Sequence, residues 1–247
     1  MVDIIVLVKQ MPDLELIKPD PSTGEPMVKN VQLRMETLSE NAVEAAVQIK
    51  EKHGGKVTAI IFGDAQSPAI MKKAYAMGVD EGFVITGYAG NNPSYTARVL
   101  AARIAGIKHD IIIMGNQSAD SISGLLPGMI SRLTGEPLLG NAVSVQVDGV
   151  NARVKRVLED RDVTVMSKLP VVISVTQETN QPRLPPVMQI LAAGRKPINT
   201  EKAALPPEEY TKILSNRAPK SERKKIIFED ADKGVPELAK VLKEAMR

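Results

Sequence analysis

Between two apolar stretches the chain reads Gly115-Asn116-Gln117-Ser118-Ala119-Asp120-Ser121-Ile122-Ser123-Gly124. Small and hydroxylic residues crowd into this segment. It follows a strand-like run, Asp110 to Met114, and opens a helix-like one, Asp120 to Leu133. At such a place serine hydroxyls and backbone N–H groups can cradle a phosphate, helped by the positive end of the helix. The two glycines permit close approach of a ligand. The same residues also describe an ordinary capping turn, with Asp120 or Ser121 as the cap. Spacing alone leaves both readings open.

Other chemistry finds little support. The chain has no GxxxxGK[ST] loop, no GxGxxG after its first strand, no Ser-Gly-Gly-x-Asp-Ser loop and no Gly-x-Ser-x-Gly elbow. It has no cysteine, which removes disulfides, thiolate catalysis, iron–sulfur clusters and cysteine-based zinc sites. That composition fits a reducing compartment, and a cytoplasmic protein is the expectation. His53, at a helix end, and His109, just before a strand, read as solvated or capping residues. Two isolated histidines make a poor metal site. Glu159-Asp160 with Asp162 could ligate a metal or act as an acid/base pair. Beside Arg153, Lys155, Arg156 and Arg161 they read better as an ion-pair cluster at a hairpin end. No catalytic residue and no metal ligand is assigned, so any reactivity would come from a cofactor.

The elements that would position such a site are legible as alternating runs. Ile4 to Val8, Lys56 to Phe62, Glu81 to Ile85 and Asp110 to Met114 read as strands, the second and fourth closed by Gly63 and Gly115. Helices are predicted over Glu40 to Lys52, Ser67 to Ala76, Pro93 to Ile107 and Asp120 to Leu133. Ser39 is the predicted N-cap of the first, and Gly54-Gly55 its stop. Alternation at about thirty-residue spacing predicts βαβ units: an α/β, Rossmann-like fold with a parallel sheet and helices on both faces. In such a sheet ligands bind beyond the carboxyl ends of the strands, where the strand order reverses. Those ends carry Lys9-Gln10, Phe62-Gly63-Asp64 and the Gly115 segment.

The pattern then changes. Val143 to Val147 and Val150 to Leu158, joined by Asp148-Gly149, read as a hairpin. Val163 to Met166 and Val171 to Val175 continue as strands. Asn180 to Ile198 follows as a proline-studded, partly apolar, basic-tipped loop of about twenty residues, where roughly 4–6 are usual. Its prolines hold it extended and lower the entropy lost on docking, which argues for a partner protein. From Thr200 onward the chain is a charged arm with Glu208 to Ser215, the run Arg223-Lys224-Lys225 and a helix over Pro236 to Met246. The arm has too little apolar content for its own core. The division expected is therefore a domain over 1–199 and an arm over 200–247.

Bulk composition agrees with a soluble globular protein: 43% hydrophobic and 25% charged residues among 247. Aromatics are only 3%, with no Trp, so the core must be Val, Ile, Leu, Ala and Met. Lys and Arg (32) nearly balance Asp and Glu (29), and RNA-binding aromatic signatures are absent, so no nucleic-acid partner is expected. No stretch approaches the ~18–20 apolar residues of a membrane span. The N-terminus enters an apolar strand without a basic n-region, and no signal peptide is expected.

Several segments together carry a resemblance to the β subunit of electron transfer flavoprotein. Val6-Leu7-Val8-Lys9-Gln10-Met11-Pro12-Asp13 looks like the family's opening strand, and Glu40-Asn41-Ala42-Val43-Glu44-Ala45-Ala46 is similar to its first helix. Gln117-Ser118-Ala119-Asp120 resembles its Gln-Ala-x-Asp nucleotide loop. Val154-Lys155-Arg156-Val157-Leu158-Glu159, then Lys168-Leu169-Pro170-Val171-Val172, resembles its signature hairpin and strand. The loop from Asn180 corresponds to its Asn-Glu-Pro-Arg segment. The likeness runs from near the start to about Ile198, and more loosely beyond.

The resemblance implies a carrier, not an enzyme. It implies a heterodimer with an α subunit that holds most of a redox-active FAD. Electrons would pass from dehydrogenases through that FAD to a downstream acceptor. The β fold would hold AMP or, in bifurcating members, a second FAD. By position, the implied nucleotide site is Leu7, Lys9, Glu36, Thr37, Leu38, Ser39, Phe62, Gly63, Gly115, Gln117, Asp120, Ser121, Ser123, Gly124, Leu125 and Leu126. Leu14 and Leu38 would lie near the α-bound flavin. Val187 would be the apolar anchor for dehydrogenases, with Pro186, Met188 and Arg195 beside it. The arm would reach around the α subunit.

The chain departs from the family in places. Where the family often has Asn-Pro-(Phe/Tyr)-(Asp/Cys)-Glu, it has Glu36-Thr37-Leu38-Ser39-Glu40, and a carboxylate should not face phosphate. Asp120-Ser121-Ile122-Ser123-Gly124 lacks the family's Gln, leaving more to backbone and serine hydroxyls. Ala192 and Gly194 stand where lysines are common. The alternative is a stand-alone nucleotide binder of universal-stress-protein type, a homodimer without flavin. The long loop, hairpin and arm speak against it. The missing pyrophosphatase loop speaks against a nucleotide hydrolase.

Overall fold

A computed structural model describes residues 1–88, 92–206, 213–218 and 225–246. In chain order its elements are β1 (Ile4–Val8), β2 (Gln10–Pro12), β3 (Lys18–Pro19), β4 (Pro26–Met27), β5 (Leu33–Met35), α1 (Thr37–His53), β6 (Val57–Gly63), α2 (Ser67–Met77), β7 (Glu81–Thr86), α3 (Pro93–Ile104), β8 (Ile111–Gly115) and α4 (Leu126–Thr134). There follow β9 (Leu138–Ala142), β10 (Ser144–Val147), β11 (Asn151–Val157), β12 (Asp162–Lys168), β13 (Val171–Val175), α5 (Val187–Ala193), β14 (Asn199–Lys202) and α6 (Ala231–Ala245).

Seven strands form one parallel sheet in the order β14-β7-β6-β1-β8-β13-β9. Every residue of β1, β6 and β13 is buried. A parallel sheet covered on both faces requires this, and it is why these strands read as unbroken apolar runs. Side chains alternate between the two faces. Val6, Val8 and Ile61 pack with Ala42, Ala46 and Met71 of α1 and α2. Leu7, Phe62 and Met114 pack with Tyr95, Leu100 and Ile130 of α3 and α4. The predicted α/β, Rossmann-like fold with helices on both faces is thus present. A second, antiparallel sheet, β10-β11-β12, contains the predicted hairpin. On β11 Ala152 and Val154 face inward while Arg153 and Lys155 face out.

Four local expectations change. Between β1 and α1, where no strand is predicted, the chain forms the short pairs β2–β5 and β3–β4. The cap of α1 is Glu36, not Ser39. α4 begins at Leu126 rather than Asp120. The loop from Asn180 is not extended throughout, because it contains α5. Two sheet strands, β9 and β14, had no strand-like reading. Both lie at sheet edges, and β14 is exposed at all four positions.

By internal contacts the chain forms two compact units, Met1–Lys18 with Met27–Leu214, and Pro19–Pro26 with Ser215–Arg247. Helix α6, in the second unit, is capped by the Asp230 side chain, which accepts from Asp232 N. Of the predicted basic run Arg223-Lys224-Lys225, the first two residues lie outside the described residues, as do 208–212 of the predicted segment Glu208 to Ser215.

Candidate functional site

Strand order reverses at β1: β6, β7 and β14 lie to one side, β8, β13 and β9 to the other. Beyond the carboxyl ends of β1 and β8 opens a cavity of about 330 Å³. One wall is apolar, made by Leu7, Phe62, Leu100, Met114 and Leu126. Tyr88 meets the edge of Phe62 there, ring centroids 5.4 Å apart. The other wall is polar, with Lys9, Glu36, Ser39, Ser118, Asp120 and Ser121.

Lys9 ties the polar wall together. Its Nζ donates to Ser118 Oγ at 2.9 Å and pairs with Asp120 Oδ1 at 2.6 Å. Its backbone N donates to Ser39 Oγ at 3.1 Å. Burial pushes the Asp120 carboxyl up, but the bonds from Lys9 and Ser118 outweigh it and hold it below the usual carboxylate range. The two serines of the turn are linked, Ser118 Oγ to Ser121 Oγ at 2.9 Å. The turn is tight: Ser121 N and Ile122 N both donate to Ser118 O. Ile122 has φ +48° and Gly124 φ +60°. A β-branched residue in the left-handed region is strained, a condition often held at functional turns.

Helix α4 starts at Leu126 with no side-chain cap. The first amides of any helix lack intrahelical partners and carry partial positive charge. Here Leu126 borders the cavity with its amide, while Pro127 beside it has no N–H to offer. Gly115 is needed where it stands, since a Cβ there would lie 2.7 Å from Leu38 Cβ. Glu36 is buried and turned into its own helix: its Oε2 accepts from Ser39 N at 2.8 Å. Asn116 lines the cavity, and its buried Oδ1 finds no partner among the described residues. An apolar slot, an uncapped helix start, serine hydroxyls and an unsatisfied polar atom fit an adenosine phosphate.

The structure gathers most residues singled out in the sequence. Leu7, Lys9, Glu36, Ser39, Phe62, Gly63, Gly115, Gln117, Asp120, Ser121, Ser123, Gly124, Leu125 and Leu126 all line this cavity. Thr37 and Leu38 do not; Thr37 is the first residue of α1, and Leu38 backs Gly115. Sequence reasoning missed Tyr88, Asn92 and Thr96, which follow the carboxyl end of β7. Applying the strand-end rule to β7 would have found them. Glu159 joins no metal site: among the described residues no group of three His, Asp or Glu side chains could hold a metal. Asp160 pairs with Arg161 and Asp162 with Lys155, as the ion-pair reading expects.

The proline-studded segment is pinned at both ends. Asn41 Nδ2 donates to Asn180 O at 2.8 Å, and Asn180 Nδ2 returns a bond to Asn41 O at 3.0 Å. Arg183 grips Glu44 Oε2 at 2.8 Å and Glu51 Oε1 at 2.6 Å. At the far end Tyr75 OH donates to Pro197 O and Lys196 Nζ to Val79 O. Between the pins Pro186 precedes α5, and Leu184, Val187 and Met188 are exposed, Val187 by 71%. Arg195 lies exposed just after the helix.

The profile of the electron transfer flavoprotein domain matches residues 28–206. This chain belongs to the electron transfer flavoprotein family, on its beta-subunit branch. The electron transfer flavoprotein subunit beta of Thermoanaerobacterium thermosaccharolyticum is 30% identical over 239 residues, covering 92% of each chain. That of Mycobacterium tuberculosis strain H37Rv is 30% identical over 210 residues, 80% of this chain and 78% of that protein. The caffeyl-CoA reductase-Etf complex subunit CarD of Acetobacterium woodii is 29% identical over 212 residues, 83% of this chain and 81% of that protein. Membership gives the chain an electron-transfer role tied to flavin, within a family whose beta subunit works beside an alpha subunit. Among the described residues no helix is long and apolar enough to cross a membrane.

Proposed function

We propose that this chain is the β subunit of a cytoplasmic electron transfer flavoprotein heterodimer. The complex carries electrons from dehydrogenases to a downstream acceptor through an FAD held mainly by the α subunit. The cavity beyond β1 and β8 holds the adenosine phosphate of AMP or of a second FAD. The observation that carries this reading is that cavity, at the switch point of the sheet, in a chain of a flavin-linked family. Leu7, Phe62, Leu100, Met114 and Leu126 offer a slot for the purine. Ser118, Ser121, Ser123 and the Leu126 amide at the start of α4 take the phosphate, and Lys9, paired to Asp120 and bonded to Ser118, braces the turn. The bound flavin supplies the redox chemistry; the chain's own residues bind and orient. Val187, with Pro186, Met188 and Arg195, forms the surface that meets the dehydrogenase.

Co-expression with the α subunit, followed by denaturation and quantification of released nucleotide, tests this. One FAD and one AMP per heterodimer supports the simple carrier, and two FAD supports the bifurcating type. A homodimer free of flavin would overturn the proposal in favour of a stand-alone nucleotide binder.

A further inference from the structure

Glu36 is only 1% exposed, yet it lines the cavity. Its Oε2 is used at the head of α1, accepting from Ser39 N at 2.8 Å and Ser39 Oγ at 3.3 Å. Its Oε1 takes no hydrogen bond from any described residue. Lys9 Nζ, the cation that lines the cavity among the described residues, is committed to Asp120 and Ser118. Ser39 Oγ is also occupied, donating to Glu36 and accepting from Lys9 N. This part of the wall therefore offers an acceptor and negative charge only. It should attract hydroxyl donors and repel phosphate.

Placement narrows the donor. The apolar slot belongs to the α3–α4 side of the sheet, with Leu7, Phe62, Leu100 and Met114. The phosphate-binding turn lies above β8. Glu36 heads α1, on the other face of the sheet. Glu36 lines the same cavity as the slot and the turn, so a nucleotide spanning the two holds its sugar in the cavity that Glu36 borders. We propose that Glu36 sets the sugar specificity of the cavity: Oε1 accepts from a ribose hydroxyl, and the carboxylate excludes a phosphate ester there. The inference rests on the reading of the cavity as an adenine-nucleotide site. Acidic side chains read ribose hydroxyls in the same way in other open α/β sheets.

The heterodimer, stripped of nucleotide, is titrated calorimetrically with AMP, 2′-deoxy-AMP, 3′-deoxy-AMP, adenosine 3′,5′-bisphosphate and inosine monophosphate. Loss of a hydrogen bond to a charged acceptor weakens binding by about tenfold or more. At least one deoxy analogue should show that loss in the wild type, and the bisphosphate a larger one. Glu36→Gln should shrink the discrimination to within about threefold, as should Glu36→Asn, a residue that still caps a helix. The wild-type series stands even if a variant folds poorly. The proposal is overturned if the wild type binds AMP and both deoxy analogues equally. It is overturned too if folded variants keep the wild-type preference, or lose only the preference for AMP over inosine monophosphate. A wild type that binds no AMP overturns the reading of the cavity itself, and this inference with it.

Discussion

His109 shows how far a residue's role depends on partners that sequence does not place beside it. Its Nδ1 faces Ile107 O at 2.7 Å and its Nε2 faces Glu136 Oε1 at 2.9 Å. Two acceptors suit the doubly protonated ring. Burial pulls its pKa down, but the bonds to Glu136 and Ile107 outweigh that and raise it above 6.5. A raised histidine contributes stability that is full below the unfolded value and is lost as pH rises through the folded one. His109→Gln should therefore lower Tm by about 2–4 °C at acidic pH, with the deficit shrinking as pH rises well above neutrality. Thermal melts across that range check it, and a deficit independent of pH would exclude the charge as the cause. Sequence offered this histidine only as a solvated or capping residue, because Glu136 lies 27 positions away. The cap of α1 was misjudged for a related reason. Serine is the better intrinsic cap, but Ser39 Oγ is drawn to Lys9 N, and Glu36 takes the position.

Helix α5 and its clamp belong to the scale of elements. Arg183 joins Glu44, mid-way along α1 with its side chain almost fully buried, to Glu51 near the C-terminal end of that helix. The guanidinium holds the Glu44 carboxyl below its ordinary range even though burial pushes it up. Arg183→Ala leaves a buried carboxylate unpaired. Because the arginine is partly exposed, the expected cost is about 2 kcal/mol, or roughly 4–8 °C in Tm. Amide exchange over 180–198 should accelerate with it; unchanged exchange would show that the clamp does not hold the segment. Val187→Asp should act oppositely. At an exposed position it should change stability by less than about 0.5 kcal/mol yet slow electron delivery from the dehydrogenase, and undiminished transfer would remove Val187 as the anchor. The length and prolines of this segment were legible, but its helix and pins were not, since the pins join residues up to 139 positions apart. The strands divide similarly. β1, β6 and β13 announce themselves because both faces are buried. β14 carries Asn199-Thr200-Glu201-Lys202 at an edge, where one open side removes the need for apolar residues.

At the scale of the molecule, the parallel sheet was implied by four alternations of strand and helix, but the position of its switch point was not, because alternation does not fix the order of the strands. The fate of the last fifty or so residues was less legible, because an amphipathic helix does not name what covers it. α6 exposes Val235, Leu238, Val241 and Leu242 along its length. We propose that this face meets the α subunit. Deleting 226–246 should leave the Tm of the sheet-bearing unit within about 2 °C while weakening heterodimer assembly by roughly tenfold or more. Sedimentation of the mixed subunits measures the second effect, and assembly at wild-type affinity would refute the assignment.

The ring contacts beside the cavity have an optical consequence. The chain has four tyrosines and no tryptophan, so its own ultraviolet emission is tyrosine emission. Tyr88 lines the cavity, and both it and Tyr95 touch Phe62 edge-on. A purine entering beside Phe62 would alter the surroundings of a fluorophore at the wall. On the proposed reading of the cavity, tyrosine emission would then report its occupancy apart from the visible colour of flavin.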